Sequence, residues 1–392
     1  MIYAGVDIAK TNHVIGAVDE TGSEVVRPMA FKNTEAGFER CIAWLESIAE
    51  SEDDVFIGME ATGHYWMACF AYLVAAGYRV CVVNPMQVRA MRKLKGLCGA
   101  KNDRIDSALI AETLRQGDYD QTRLATDEVQ ALKRLTRYHQ ALKQELATVK
   151  TQAVCVLDAY FPEYAGLFSD MFGTASLKVL AECPTPSEAS RKRTSSIARL
   201  LSEGSHGRLG AERAAEIKSA AGSSVGIRLG EDAASFQIKT MVTQVEFLNR
   251  TIAKVEREVA SLLAKVEPNI TTVPGISTTT GAQIVAEIGD VKRFKGAASI
   301  VKYAGLNSGV DESGMFSAEG VPITKHGSPY LRRSLWLAAN RARQYDPKLK
   351  AFYDKKRREG KPHRVAVTAV ARKLCHVVYA VMRDGEPYDP GK

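Results

Sequence analysis

Met1-Ile-Tyr-Ala-Gly-Val-Asp7-Ile8 is the stretch whose reading decides this fold. It reads as a short buried strand with one carboxylate near its end. An acid inside an apolar run is costly to bury unless something pairs with it. Asp7 therefore calls for a partner, and the natural one is a metal ion held with other carboxylates. Glu60, Asp103 and Asp106 are the candidates to complete the set.

Working outward, residues 2–8, 13–19 and 24–31 are β-rich, and Asp19-Glu20-Thr21-Gly22 supplies a turn between the second and third. The pattern predicts a three-stranded meander. Asn33-Thr34 can cap a helix to about Ser47, with Phe38, Ile42 and Leu45 at helical spacing. Val55–Glu60 is a fourth strand that ends in an acid. Thr62-Gly63 leads into a helix to about Ala76, and Arg79–Val83 is a fifth strand closed by Asn84-Pro85. A basic helix or loop runs to Gly99, and Asn102 caps a helix to about Gln116.

Three antiparallel strands, a helix, then alternating strand and helix is the order of the ribonuclease H-like fold. In it, Asp7 and Glu60 end strands, while Asp103 and Asp106 share one helix face. Four converging oxygen ligands suit one or two Mg²⁺ ions. Two such ions about 4 Å apart can activate a nucleophile and stabilise the leaving oxygen in phosphodiester cleavage. Each acid also has a purely structural reading. Asp103 suits the first turn of any helix, Glu60 can cap nearby amides, and Asp106 can pair with Arg104 or another neighbour.

Composition bounds the class. The 392 residues suffice for two or three domains, and 45% hydrophobic with 25% charged residues is ordinary for a soluble globular protein. No apolar run has the length of a membrane span and no signal-peptide pattern opens the chain, which leads us to expect a cytoplasmic protein. The seven cysteines are scattered and form no CxxC pair, so they read as small buried hydrophobes. The net charge of +8 is uneven: Arg341 to Lys373 holds twelve Lys/Arg against three Asp/Glu. The stretch from Met86 to Arg104 holds six basic residues (Arg89, Arg92, Lys93, Lys95, Lys101 and Arg104) against one acid. Such concentrations suggest DNA or RNA as partner, against the plainer reading of a solvated basic surface.

From Asp127 to about Val156, and again from Ile238 to Val266, apolar residues recur in steps of three and four. This marks two long helices with narrow seams, able to pair with each other or with helices of other subunits. The segment between them, about 160–234, reads as an inserted helical region, with Ser187–Ser196 and Gly204–Gly210 as loops. The Pro274-Gly275 turn before a helix over about Thr279–Ile288 resembles half of a helix-hairpin-helix element, which grips phosphate through backbone amides. A second helix is expected over Phe294–Leu306, then a hairpin-like stretch with Ser308-Gly309 and Ser313-Gly314. The turn at Lys325-His326-Gly327 leads through Arg332 and Arg333 into a helix to about Arg343. The basic run Lys355-Lys356-Arg357-Arg358 follows, and a last helix covers about Arg364–Val381. The basic residues in these segments, with Gly275, are the candidate nucleic-acid contacts.

These motifs resemble a known family. Gly5-Val6-Asp7, Met59-Glu60-Ala61-Thr62-Gly63 and Lys101-Asn102-Asp103-Arg104-Ile105-Asp106 are similar to the DEDD transposases of bacterial insertion sequences. Val273-Pro274-Gly275-Ile276, Tyr303-Ala304-Gly305-Leu306, Ser313-Gly314, Lys325-His326-Gly327 and Leu331-Arg332-Arg333 resemble that family's C-terminal transposase domain. The likeness covers about residues 1–125 and 267–345, in the family's order. Asn102 departs from the Thr that relatives often carry, and either residue can cap the helix.

The resemblance implies a RuvC-like domain over 1–125 in which Asp7, Glu60, Asp103 and Asp106 bind Mg²⁺. It implies a transposase domain over 267–345, while the apolar seams and the basic run, which the resemblance does not cover, give a helical coiled-coil region over 126–266 and a basic helical tail over 346–392. The fold class is then α/β plus α. The resemblance also implies a serine nucleophile, best matched by Ser313 with Ser308 as a neighbour of similar local sequence. It further implies donor and target double-stranded DNA, a guide (bridge) RNA, and a tetramer made as a dimer of dimers in the bacterial cytoplasm beside the nucleoid. The helical seams allow a site built across subunits.

Rival readings keep parts of this picture. A RuvC-like nuclease or junction resolvase would use metal-activated water, and a related DNA invertase would keep the recombinase chemistry. An actin-like or sugar-kinase ATPase matches Gly5-Val6-Asp7-Ile8-Ala9 alone. A non-enzymatic DNA-binding protein leaves the four acids without a task.

Overall fold

The computed structural model describes residues 1–391 apart from 62, 64, 98–101, 118, 120, 123–124, 309–311, 314–315 and 318–321, and only the backbone of 312–313 and 316–317. The chain forms two compact units, Met1–Leu124 and Ala125–Lys392.

The first unit is built on a sheet of β1 (Ile2–Asp7), β2 (Asn12–Val18), β3 (Glu24–Lys32), β4 (Val55–Glu60) and β5 (Arg79–Val83). Its order is β3-β2-β1-β4-β5, antiparallel from β3 to β1 and parallel from β1 to β5. This is the ribonuclease H-like order expected from the sequence. Alternation along each strand assigns its two faces. Ala4, Val6, Ile15, Ala17, Ile57 and Met59 pack with residues of α1 (Glu35–Glu46) and α2 (Trp66–Ala75), such as Phe38, Leu45, Phe70 and Leu73. Tyr3, Phe56 and Cys81 face α3 (Pro85–Leu94) and α4 (Asp103–Gln116), meeting Val88, Met91, Ile110 and Leu114. The basic segment after β5, left open as helix or loop, is helical as far as Leu94. Asn102 caps α4 as expected, its side chain accepting from the Arg104 amide at 3.0 Å.

Gly5 lets α4 lie directly on the sheet. A Cβ there would fall 2.0 Å from the Ser107 carbonyl oxygen and 2.4 Å from the Ala111 nitrogen, both backbone atoms.

The second unit is helical. α5 (Asp127–Tyr160) and α10 (Glu231–Val266) pair with each other in one chain. They run antiparallel, because Tyr160 Oη donates to the Leu229 carbonyl near one end and His139 Nε2 lies 2.9 Å from Glu256 Oε1 further along. At 1.5 Å per residue α10 is about 54 Å long. Its seam (Val242, Val245, Leu248, Ile252, Val255, Val259) meets Leu132, Leu142, Leu146, Val149 and Ala153 in one core.

Between them lie α6 (Thr174–Glu182), α7 (Pro186–Arg191), α8 (Thr194–Ser205) and α9 (Ala211–Gly222). The stretch Ser187–Ser196, expected to be a loop, is therefore largely helical. Its small polar residues sit at helix starts, where Thr185 caps α7 by accepting from the Glu188 amide. α11 (Thr278–Ile288), α12 (Ala297–Tyr303), α13 (Pro329–Tyr345), α14 (Pro347–Arg358) and α15 (His363–Asp384) complete the unit, with a two-stranded ribbon, β6 (Glu312–Ser313) and β7 (Phe316–Ser317). The helix expected over Phe294–Leu306 is shorter at both ends. Gly296 precedes it, and Gly305 at φ +64° turns the chain out of it. α15 is long and apolar enough by length and composition to cross a membrane. Val367, Val370, Leu374, Val378 and Val381 instead place its apolar side in the core. The described cysteines are buried apart from Cys155, which is exposed on α5 and so departs from the expectation.

Two consequences can be measured. Gly5→Ala must push α4 off the sheet, and we expect a loss of about 3 kcal/mol in urea unfolding. The first unit is also expected to lose stability in acid. The Arg115 guanidinium, helped by Lys95 and Gln116, holds the buried Glu112 carboxyl down at about 2. Burial holds His13 below its ordinary 6.5. Both groups take up protons more readily in the unfolded chain, so stability falls with pH. His13's share is lost below 6.5, and Glu112's share is lost from 4.5 down through about 2. We expect Glu112→Gln to shrink the fall in urea midpoint between roughly pH 6 and pH 3.

Candidate active site

β1 and β4 lie side by side with Val6 opposite Met59. Asp7 and Glu60 are the next residues on each strand, one inter-strand spacing apart, about 4.8 Å. By alternation Asp7 shares the face of Gly5, and Glu60 that of Gly58. Both glycines face α4: a Cβ on Gly58 would meet Leu114 at 3.2 Å and Ile110 at 3.3 Å.

The direction of α4 follows from its far end. Arg115 Nη1 donates to the Glu20 carbonyl at 3.1 Å, and Glu20 also pairs with the Met1 ammonium at 3.0 Å. The C-terminal end of α4 therefore sits by the start of β1. Its N-terminal end, carrying Asp103 and Asp106, sits at the carboxyl ends of β1 and β4. Four acids are thus brought to one end and one face of the sheet. Asp103 is exposed, and Asp7, Glu60 and Asp106 are half-buried.

The four are not drawn into a closed cage. Among the described residues no three His, Cys, Asp or Glu side chains come close enough to hold a metal ion. Asp106 is engaged by Arg92 of α3, whose Nη2 donates to its Oδ1. The donor set is all carboxylate, on strand ends and a capped helix start, and this suits a hard divalent cation. A cation bound there would draw the side chains together and compete with Arg92 for Asp106.

In the second unit, Ser313 lies in β6 opposite Phe316 of β7. Ser308 is at the base of the same excursion, bridged to Ile323. Below it the chain closes on itself. The amides of Thr324, Lys325 and Ser328 donate to the carbonyls of Asn307, Gly305 and Tyr303 at 2.9, 3.1 and 2.9 Å. This approach needs glycine, since a Cβ on Gly327 (φ +140°) would lie 2.1 Å from the Tyr303 oxygen. The turn is tied to the unit's core through the buried Glu287, which takes two hydrogen bonds from Arg137 (2.7 and 3.1 Å) and one from Ser328 Oγ (2.9 Å). Sequence reasoning did not single out Glu287. The signal was present, because it is an acid inside the apolar run Ile284-Val-Ala-Glu-Ile288.

The expected nucleic-acid contacts divide. Arg89, Lys93, Arg104, Lys325, Arg333, Lys355, Arg357 and Arg358 are exposed, and Lys101 lies outside the described residues, as do Thr62 and Gly314. Others are engaged inside the fold. Arg92 is on Asp106 and Lys95 is 3.1 Å from Glu112. Lys356 pairs with Glu359 at 2.7 Å and lies over the Phe352 ring. Arg332 Nη1 donates to the Ala304 and Lys325 carbonyls at 3.0 and 3.3 Å. Gly275, expected to offer amides to phosphate, is packed on α13, where a Cβ would fall 2.3 Å from the Ala342 nitrogen. Close helix packing explains that glycine.

A sheet of ribonuclease H-like order with acids gathered at one end fits the class of metal-dependent enzymes that act on nucleic-acid phosphodiesters. Comparison with known proteins agrees. The DEDD transposase model of the IS110 type matches residues 4–162, and the transposase model of the IS116/IS110/IS902 family matches residues 267–354. The chain is 24% identical to an uncharacterised 43.6 kDa protein of insertion element IS110 from Streptomyces coelicolor, over 99% of this chain and 95% of the relative. It is 25% identical to an uncharacterised 42 kDa protein of insertion element IS900 from Mycobacterium paratuberculosis, over 99% and 97%. It is 23% identical to the pilin gene-inverting protein of Moraxella bovis, over 99% and 97%. Thermus thermophilus RuvC in complex with a Holliday junction substrate overlaps 29% of this chain and 91% of its own, at 19% identity and a TM-score of 0.22. The fold assignment rests on strand order rather than on that overlap. The chain belongs to the DEDD, IS110-type transposase family, and its enzyme class is DNA transposase or recombinase.

Arg92 and a cation compete for Asp106. We expect Asp106→Asn to weaken Mn²⁺ binding at least about tenfold and Arg92→Ala to strengthen it, both measured by calorimetry. Unchanged affinity in both variants would remove Asp106 from the metal set.

Proposed function

We propose that this chain cuts and rejoins donor and target DNA through a covalent phosphoserine. Asp7, Glu60, Asp103 and Asp106 hold one or two Mg²⁺ ions, and Ser313 is the nucleophile. The observation that supports this most is the delivery of four acids to one end and one face of the sheet by three separate elements. Bound there, a divalent ion supplies Lewis-acid stabilisation of charge on the phosphate and lowers the hold of a hydroxyl on its proton.

The remaining steps belong to the chain. Ser313 Oγ attacks phosphorus, the phosphorus–oxygen bond to the departing strand breaks, and the serine proton passes to a base. The departing oxygen takes up a proton and leaves as a hydroxyl. The phosphodiester is conserved on the serine, so a hydroxyl of another strand can reverse the step without an external energy source. Exposed cations at Arg89, Lys93, Arg104, Lys325, Arg333, Lys355, Arg357 and Arg358 offer phosphate contacts that position rather than specify. On this reading a guide RNA selects the DNA, the working form is a tetramer built as a dimer of dimers, and the enzyme acts in the bacterial cytoplasm. The full-length likeness to the pilin gene-inverting protein favours inversion of a DNA segment as a second outcome of the same chemistry.

The test uses full-length protein, RNA transcribed from the gene's flanking sequence, labelled duplexes of that flanking DNA, and Mg²⁺. We expect a denaturation-resistant protein–DNA adduct that needs RNA and is abolished by Ser313→Ala, by Asp7→Ala and by EDTA. Cleavage that survives Ser313→Ala and leaves no adduct would establish water as the nucleophile.

A further inference from the structure

The segment carrying Ser313 leaves and rejoins the helical core through two strands of backbone, residues 303–308 and 323–328. Two arginines from different helices hold this stem. Arg332 of α13 grips its lower part, as described above. Arg372 of α15 grips its upper end: Nε donates to the Leu306 carbonyl at 2.6 Å, and Nη2 donates to Ser308 Oγ at 2.9 Å. The Arg372 backbone is fixed because Ala371, Leu374 and Cys375 around it are fully buried.

Its partners among the described residues are a carbonyl and a hydroxyl, not a carboxylate. Burying a guanidinium part-way without a counter-charge is unfavourable, and a neutral side chain would fill the same space. A planar cation does something a neutral group does not. It donates in two fixed directions and so fixes two consecutive parts of one strand relative to each other. That matters here because Ser308 is bridged to Ile323 where the excursion leaves the core, and a slip of that pairing by one residue would turn the side chains at the bridge to the opposite face. Ser313 is five residues further along the sequence, so the path of the segment that carries it starts from this bridge.

We infer that Arg372 is a positioning residue for the recombinase reaction, setting the register of the stem from which the chain runs to Ser313. Ser308 is then the acceptor that locks the stem, and not the nucleophile. The inference rests on the phosphoserine reading proposed above.

The experiment is single-turnover adduct formation by full-length protein with the flanking-sequence RNA, duplex DNA and Mg²⁺, with the DNA concentration varied. For Arg372→Met we expect the rate at saturating DNA to fall about 10- to 100-fold. The half-saturating DNA concentration and the thermal midpoint should stay near the parent's. Ser308→Ala, which removes one acceptor and leaves the Leu306 carbonyl, should fall less and still form adduct. A merely structural role would lower the thermal midpoint or DNA affinity together with the rate, and that result would overturn the inference. So would a saturating rate for Arg372→Met within about twofold of the parent. If Arg372→Met does not fold, Arg372→Lys replaces it, since one ammonium cannot reproduce both fixed directions; a parent-like saturating rate in Arg372→Lys would equally reject the role. Ser313→Ala in the same assay separates the two claims. Adduct surviving Ser313→Ala defeats the phosphoserine assignment itself. Adduct lost in Ser313→Ala but unaffected in Arg372→Met defeats only the positioning role.

Discussion

The closeness of α4 to the central strand is the constraint on which the candidate site depends. With no side chain at Gly5, the helix backbone rests on the β1 backbone, so that even a methyl group would collide with Ser107 and Ala111. Distance and direction are then both determined. Arg115 anchors the far end of the helix beside Glu20, and the near end delivers Asp103 and Asp106 to where β1 and β4 finish. A looser helix could be displaced or turned, and the acids on it would no longer belong with Asp7 and Glu60. Rigid elements place a site more accurately than loops do, and all four acids are on element ends.

The electrostatics along α4 are arranged in two tiers. Glu112, deep on α4, is satisfied by Arg115, Lys95 and Gln116 and stays ionised well into acid. Asp106, six residues nearer the sheet ends, has Arg92 as its partner. The first is buried, with Arg115 and Gln116 on its own helix and Lys95 beyond the end of α3 as its partners. The second is half-buried, at the helix start, where a cation can take the place of the guanidinium. Two carboxylates on the same helix are therefore held differently, by depth and by neighbours.

Much of the first unit was legible because its signals are short-range. Val55–Glu60 and Arg79–Val83 carry strand patterns that match the observed strands, and Asn102 caps α4 where its side chain predicts. The expectation for Asp7 followed from a single rule, that a carboxylate in an apolar run needs a partner. Applied equally to Glu287, that rule points to a partner for a second buried acid, which proves to be Arg137, 150 positions away. Separation of that kind is what a linear reading misses. Gly275 shows the converse. Its Pro-Gly context reads as a phosphate grip, but the backbone of α13, far off in sequence, is what requires glycine. The seams of α5 and α10 left their partner open, and the structure supplies it within one chain.

The two arginines on the stem below Ser313 extend the same principle to the second unit, where the chemistry proposed for the serine depends on how its strand is held rather than on the serine alone. The central claim is that Ser313 carries the DNA strand during exchange. The most direct measurement is mass spectrometry of the trapped adduct after exhaustive nuclease and trypsin digestion. Cleavage at Lys302 and Lys325 releases a peptide of residues 303–325 that contains Ser308, Ser313 and Ser317. The account predicts a residual nucleotide on Ser313, located by fragmentation. A nucleotide on Ser308, on any other residue, or on no residue of that peptide would contradict it.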